Sequence, residues 1–179
     1  MTGSPATTGR ILVVGIGSPD RGDDAWGPVV AGAAAREVAG RDGRAGHIGV
    51  LVHEDPTDLV QAWGDADLAI VLDAVLGDAE PGTLVVTEMG ADSAGLPTSS
   101  FAAAAVGGTH AFGLASAVEL SRALGRLPRR VVLVGVQPGG FDHAAPMSAP
   151  VAAAIAPALE TVDAIIGSAL SGGPGDVPR

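Results

Sequence analysis

The sequence predicts an α/β fold: one domain on a mostly parallel, twisted five-stranded sheet, with helices on both faces and one antiparallel edge strand. Three observations predict it. Short continuous apolar runs, beginning with Ile11-Leu12-Val13-Val14, have the length and composition of strands buried on both faces. Segments with helical apolar spacing lie between them, and strands alternating with helices imply parallel pairing. The run at residues 83–89 follows its predecessor too closely for a crossover helix to intervene, so it belongs antiparallel at an edge.

Residues 11–14 form the first strand, bounded by Gly15. After a loop through Gly27, the apolar positions Val29, Val30, Ala33, Ala34 and Val38 follow helical spacing and stop at Gly40, a natural C-terminal cap. Residues 48–52 form the second strand, 56–63 a short helix and 68–72 the third strand. Right-handed crossovers then place the first strand in the middle, in the spatial order 2-1-3. Residues 83–89 alternate after the turn Pro81-Gly82. The stripe Leu114, Ala117, Val118, Ser121 and Leu124 marks a helix ending at Gly125, and residues 131–136 form the last buried strand. Val151, Ile155, Leu159, Val162 and Ile166 define the final helix. The glycine-rich stretch 89–108 is longer than a connection requires and reads as a functional loop. Residues 1–9 and 171–179 are expected to be loose ends around a domain spanning 10–170.

Composition narrows the functional classes. A chain of 179 residues with 47% apolar and 17% charged residues folds as one globular domain, and 3% aromatics make its core aliphatic. Acidic residues outnumber basic ones, all of them Arg, by 20 to 10, and the formal charge of -10 repels phosphate backbones and anionic lipid surfaces. Nucleic acid and membrane are therefore not expected partners, and a monomer is expected. Residues 1–10 carry no apolar signal core, which points to the cytoplasm. The longest apolar tract, 149–170, is interrupted by Pro150, Pro157, Glu160 and Asp163, so it reads as a buried amphipathic helix. The absence of cysteine excludes disulfides, cysteine-ligated metal centres and a cysteine nucleophile.

The chemistry gathers at the carboxyl ends of the strands. Gly15-Ile16-Gly17 begins like a dinucleotide-binding fingerprint, but Asp20 stands where the third glycine is needed. The loop continues Arg21-Gly22-Asp23-Asp24, and two carboxylates there suit a cation better than a phosphate. Capping of the first helix, a frequent role for Asp, is the competing use of one of them. Asp73 closes the third apolar run and so emerges beside the first strand, where ligands of open parallel sheets bind; it is also a residue type common at strand-end turns. His110 is carried by the start of the helix at 112–124. Two carboxylates and one imidazole are reasonable ligands for a borderline divalent ion such as nickel or zinc. His53-Glu54-Asp55 and Asp142-His143 also follow strands and compete as supporting or alternative ligands, whereas His47 precedes a strand and is expected to be solvated. Trp26 and Trp63 are packing residues, with Trp26 placed to shape the crevice as well. No Gly-x-Ser-x-Gly elbow and no His-Glu-x-x-His pair is present.

These residues resemble the hydrogenase maturation proteases, which trim the large subunit of nickel-iron hydrogenases. The resemblance rests on four motifs in family order between about residues 10 and 170. They are the strand and acidic loop from Ile11 to Gly27, the strand end Ile70-Val71-Leu72-Asp73-Ala74, the helix start His110-Ala111-Phe112-Gly113-Leu114, and Leu133-Val134-Gly135-Val136-Gln137-Pro138 before the last helix. It implies an endopeptidase in which Asp24, Asp73 and His110 are both the catalytic and the metal-recognising residues. Their ligand is nickel carried by the large-subunit precursor, or another divalent metal in the purified protein, and one peptide bond near the precursor's C-terminus is hydrolysed. Asp23 would support the loop or help to position water. Ser18 stands where the family usually has Asn, and Glu54-Asp55-Pro56 where many members have Gly-Gly-Thr; an acid common after Pro138 is missing. That altered turn motivates a second reading, a chaperone-like binder of the metallated precursor that does not cut it. A nucleotide-binding domain, suggested only by Gly15-x-Gly17, is a third.

Overall fold

A computed structural model describes residues 10–38, 41, 44, 46–90 and 109–171, apart from the side chains of 109–112. The predicted extremities 1–9 and 172–179, the expected cap at Gly40 and nearly all of the glycine-rich stretch, 91–108, lie outside the described residues. Five strands, β1 (Ile11–Ile16), β2 (Ile48–His53), β3 (Leu68–Ala74), β4 (Leu84–Glu88) and β5 (Arg130–Val136), form one sheet in the order β2-β1-β3-β5-β4. The central pairings are parallel, and β4 lies antiparallel to β5 at the edge, as its short connection from β3 dictates.

Strand periodicity divides the core into two layers. In β1, Ile11 and Val13 face one side, while Leu12, Val14 and Ile16 face the other. The first layer is completed by helix α1 (Trp26–Glu37), through Val30, Ala31 and Ala34, and by the C-terminal helical segment. The second is completed by Leu59 and Val60 of α2 (Leu59–Ala62) and by Leu114, Ala117 and Val118 of α3 (Thr109–Ala123). Trp63 is buried there, and its indole N–H donates to Ser121 Oγ at 2.9 Å. That bond explains why a serine occupies an otherwise apolar helical stripe.

Several elements depart from the sequence pattern for identifiable reasons. A four-residue 3-10 turn, Gly22–Ala25, precedes α1, which starts at Trp26 rather than after Gly27. Gly27 lies in the first helical turn, where a Cβ would stand 2.3 Å from the Ile16 carbonyl oxygen and 2.5 Å from that of Leu72. Only glycine lets the helix rest this closely on the ends of β1 and β3. Val29 and Leu124, counted in the apolar stripes, are exposed. The final helix is divided at Ala154 into α4 (Ala149–Ala153) and α5 (Ile155–Leu170). Pro157 accounts for the break, since it has no N–H to donate and its ring crowds the carbonyl of Ala153, the last residue of α4. The span Ala149–Leu170 is long and apolar enough to cross a membrane by composition. In the fold, Val151, Ala158, Val162, Ile165 and Ile166 pack into the core, and Asp163 accepts hydrogen bonds from Arg41 and Arg44.

Candidate functional site

The turn that carries Asp24 and the strand end that carries Asp73 share one edge of the sheet because β1 and β3 are neighbours. Gly15 pairs with Leu72, so the last residue of β1 is level with Asp73, one residue further along β3. Asp73 is 1% exposed, and Asp24, in the 3-10 turn, is 3% exposed. That turn packs directly against β3. Two buried carboxylates therefore line the carboxyl edge at the centre of the sheet, where an ionised pair demands donors or a cation.

The loop that carries Asp24 is built around it. Asp24 Oδ2 accepts the N–H of Ser18 at 2.9 Å. Gly17 has φ +132°, and a Cβ on it would lie 2.0 Å from the Asp24 carbonyl oxygen. The Gly-x-Gly pair thus gives the acidic turn room to fold back onto β1, a different use from cradling a pyrophosphate. Neither aspartate is the N-cap of α1; that position is Ala25, which has no side-chain oxygen to accept the N–H groups of the first turn. The 3-10 turn intervenes and carries both carboxylates elsewhere.

Asp23 is 1% exposed and reaches across to the segment that follows β5. Its Oδ1 accepts the Ser148 N–H at 2.6 Å, and its Oδ2 accepts from Gly139 N–H at 2.7 Å, Ser148 Oγ at 3.0 Å and Gly140 N–H at 3.2 Å. Burial acts to raise its pKa, but the hydrogen bonds from Ser148, Gly139 and Gly140 outweigh that effect and hold the carboxyl below the ordinary value of 3.8. Of the two roles weighed from sequence, support of the loop is the one these bonds describe. Sequence reasoning missed Ser148 and the glycine pair, because partners more than a hundred positions away leave no local pattern.

His110 lies in the first turn of α3, and its side chain is outside the described residues. Helix α3 leads into β5, so its N-terminal end lies at the carboxyl edge of the sheet, the same edge as Asp24 and Asp73. Gly113, one turn on, packs against Pro56, where a Cβ would approach the ring to 3.2 Å. Among the described residues no three His, Cys, Asp or Glu side chains form a metal-holding group, and the His110 imidazole is not among them.

The competing polar residues are engaged elsewhere or exposed. Asp55 caps the 3-10 turn Pro56–Asp58 by accepting from the N–H and hydroxyl of Thr57, both at 2.8 Å. His53 Nδ1 stands 3.3 Å from Asp58 Oδ2, and Glu54 is exposed. Asp142 and His143 are exposed, with His143 Nδ1 3.3 Å from the carbonyl oxygen of Asp20. His47 is half-buried, and its carbonyl accepts the N–H of Ile11. Trp26 is fully buried in the layer beneath α1, as a packing residue.

Comparison with known proteins is consistent across sequence and structure. The family model described as hydrogenase maturation protease matches residues 54–165, a range that includes Asp73 and His110. The hydrogenase expression/formation protein HupD of Rhizobium leguminosarum bv. viciae is 30% identical over 168 residues, covering 92% of this chain and 77% of that protein. Among solved structures, the hydrogenase maturating endopeptidase HybD from E. coli superposes with a TM-score of 0.71 at 25% identity, covering 89% of this chain and 93% of its own. The solution structure of an endopeptidase from Escherichia coli gives 0.73 at 25% identity, covering 95% and 98%. The maturation protease HycI from Thermococcus kodakarensis, at 21% identity and a TM-score of 0.61 over 88% and 92% of the two chains, shares the fold.

Proposed function

Because this chain belongs to the hydrogenase maturation protease family, we propose that it is the endopeptidase that removes the C-terminal extension of a nickel-iron hydrogenase large-subunit precursor after nickel insertion. In this reading nickel is part of the substrate, and Asp24, Asp73 and His110 recognise it. The observation that supports the reading is the burial of both Asp24, in the turn that packs against β3, and Asp73, at the carboxyl end of β3. Carboxylates so placed are poorly solvated, and a divalent ion brought to them compensates their charge. In this reading His110 supplies the third donor, and two carboxylates with one imidazole suit a borderline metal. The protein's own part is to hold these donors rigidly, so that the precursor's metal centre docks in one orientation and the scissile peptide is presented beside it.

The test is intact-mass analysis of the cognate precursor, with and without nickel, after incubation with the wild type and with Asp24→Asn, Asp73→Asn and His110→Ala. Loss of a C-terminal peptide only with nickel and wild-type protein is the expected result. Stable complex formation with no change in mass would favour the second reading, a non-cleaving binder of the metallated precursor. The Glu54-Asp55-Pro56 stretch, whose Pro56 packs against Gly113 of α3, is the departure that motivates that reading.

A further inference from the structure

Two consecutive aspartates in one turn face different partners. Asp24 takes the N–H of Ser18 within its own loop. The Asp23 carboxylate accepts four hydrogen bonds, from Gly139, Gly140 and twice from Ser148. The same two segments are joined by the backbone as well, through Asp23 N–H to the Gly140 carbonyl at 3.2 Å and Ala144 N–H to the Asp20 carbonyl at 2.8 Å. With 1% exposure and its oxygens occupied, the Asp23 carboxylate cannot itself touch a precursor. Yet it shares the four-residue 3-10 turn with Asp24, so the torsions that seat one side chain also orient the other.

We propose that Asp23 is a positioning residue: clamped by Gly139, Gly140 and Ser148, it fixes the turn that aims Asp24 at the nickel of the precursor. This rests on the reading of Asp24 as a nickel-recognising side chain. The segment between β5 and α4 thereby becomes part of the recognition apparatus without contributing a ligand, in the manner of outer-shell groups that orient metal-binding side chains.

The experiment measures the affinity of full-length protein for its cognate precursor with and without nickel. The proteins are the wild type, Asp23→Asn, Ser148→Ala, Asp24→Asn and the two double variants with Asp24→Asn. The nickel-dependent gain in affinity should fall about tenfold in Asp23→Asn and roughly threefold in Ser148→Ala. The nickel-free affinity should stay unchanged. In the Asp24→Asn background neither substitution should have a further effect, since a residue that acts through Asp24 has nothing left to position. Ser148→Ala removes only the hydroxyl bond and serves if Asp23→Asn does not fold.

Retention of the wild-type gain in both variants overturns the proposal. So does an equal loss in the Asp24→Asn background, or an equal loss with and without nickel, either of which marks a purely structural role. A wild type with no nickel-dependent gain at all overturns the reading of Asp24 itself, and is distinct from the case in which the wild type shows the gain and Asp23→Asn keeps it.

Discussion

The Oδ1 atom of Asp23 and the backbone N–H of Ser148 meet at 2.6 Å across 125 positions of sequence. This bond seals the loop after β1 to the segment that leads into the last helices, and it makes the stability of the fold depend on an ionised carboxylate.

Acid should therefore destabilise the protein in a defined window. Asp23 and Asp163 both have depressed pKa values, against the opposing effect of burial: Asp23 through its donors from Ser148, Gly139 and Gly140, and Asp163 through hydrogen bonds and charge from Arg44 and Arg41. A depressed folded-state value means that the contribution is fully present above the unfolded value, about 3.9, and is lost as pH falls through the folded values below it. Thermal melts should show the Asp23-dependent part of Tm constant down to about pH 4 and then declining. In Asp23→Asn that decline should be shallower; an identical decline in the variant would refute the assignment.

Gly17→Ala should disrupt the site more than its size suggests. The new methyl would lie 2.0 Å from the Asp24 carbonyl at a φ that side chains rarely adopt, so the turn itself must move. A stability loss of about 2 kcal/mol or more is expected, with loss of precursor cleavage beyond what unfolding explains. Chemical denaturation and the mass assay, run on one preparation, separate the two effects.

Two glycines of α1 should respond in opposite directions. Gly27→Ala drives a methyl into the Ile16 and Leu72 carbonyls and should cost about 1–3 kcal/mol. At Gly32 the nearest atom to an added Cβ is the Arg36 guanidinium at 3.7 Å, so Gly32→Ala should stabilise by about 0.5–1 kcal/mol through helix propensity and reduced unfolded-state freedom. Denaturant midpoints for the two variants should fall on either side of the wild type.

Ser121→Ala should leave the buried Trp63 N–H without its acceptor and cost roughly 1–3 kcal/mol. A melting temperature equal to that of wild type would show that the indole finds another partner.

The fold was largely legible because its causes are local. The unbroken apolar runs of β1, β3 and β5 announce strands covered on both faces, and all three are buried along nearly their whole length. The short connection before β4 forbids a crossover, and β4 is the antiparallel edge. The strand order 2-1-3 follows from handedness and is the order observed. The site was legible in part. A strand-end position makes Asp73 a candidate, and an acidic loop after β1 makes Asp23 and Asp24 candidates, but nothing local distinguishes the two neighbours. Proximity in sequence suggested a shared role; the fold gives Asp23 to Gly139, Gly140 and Ser148, and Asp24 to Ser18.

By itself, then, the sequence determined the strands, the order 2-1-3, the antiparallel edge strand and the candidate residues after the strands, because hydrophobic period, chain length between strands and crossover handedness are properties of contiguous residues; the place of β5 between β3 and β4 came from the fold. Only the tertiary structure decided that Gly17 and Gly27 serve close backbone approach, that Trp63 needs Ser121, and that Asp23 is a clamp. Each of these depends on which distant backbone atoms come within about 3 Å once the sheet and its helices have packed, a distance at which steric exclusion and hydrogen bonding act but which no periodicity encodes.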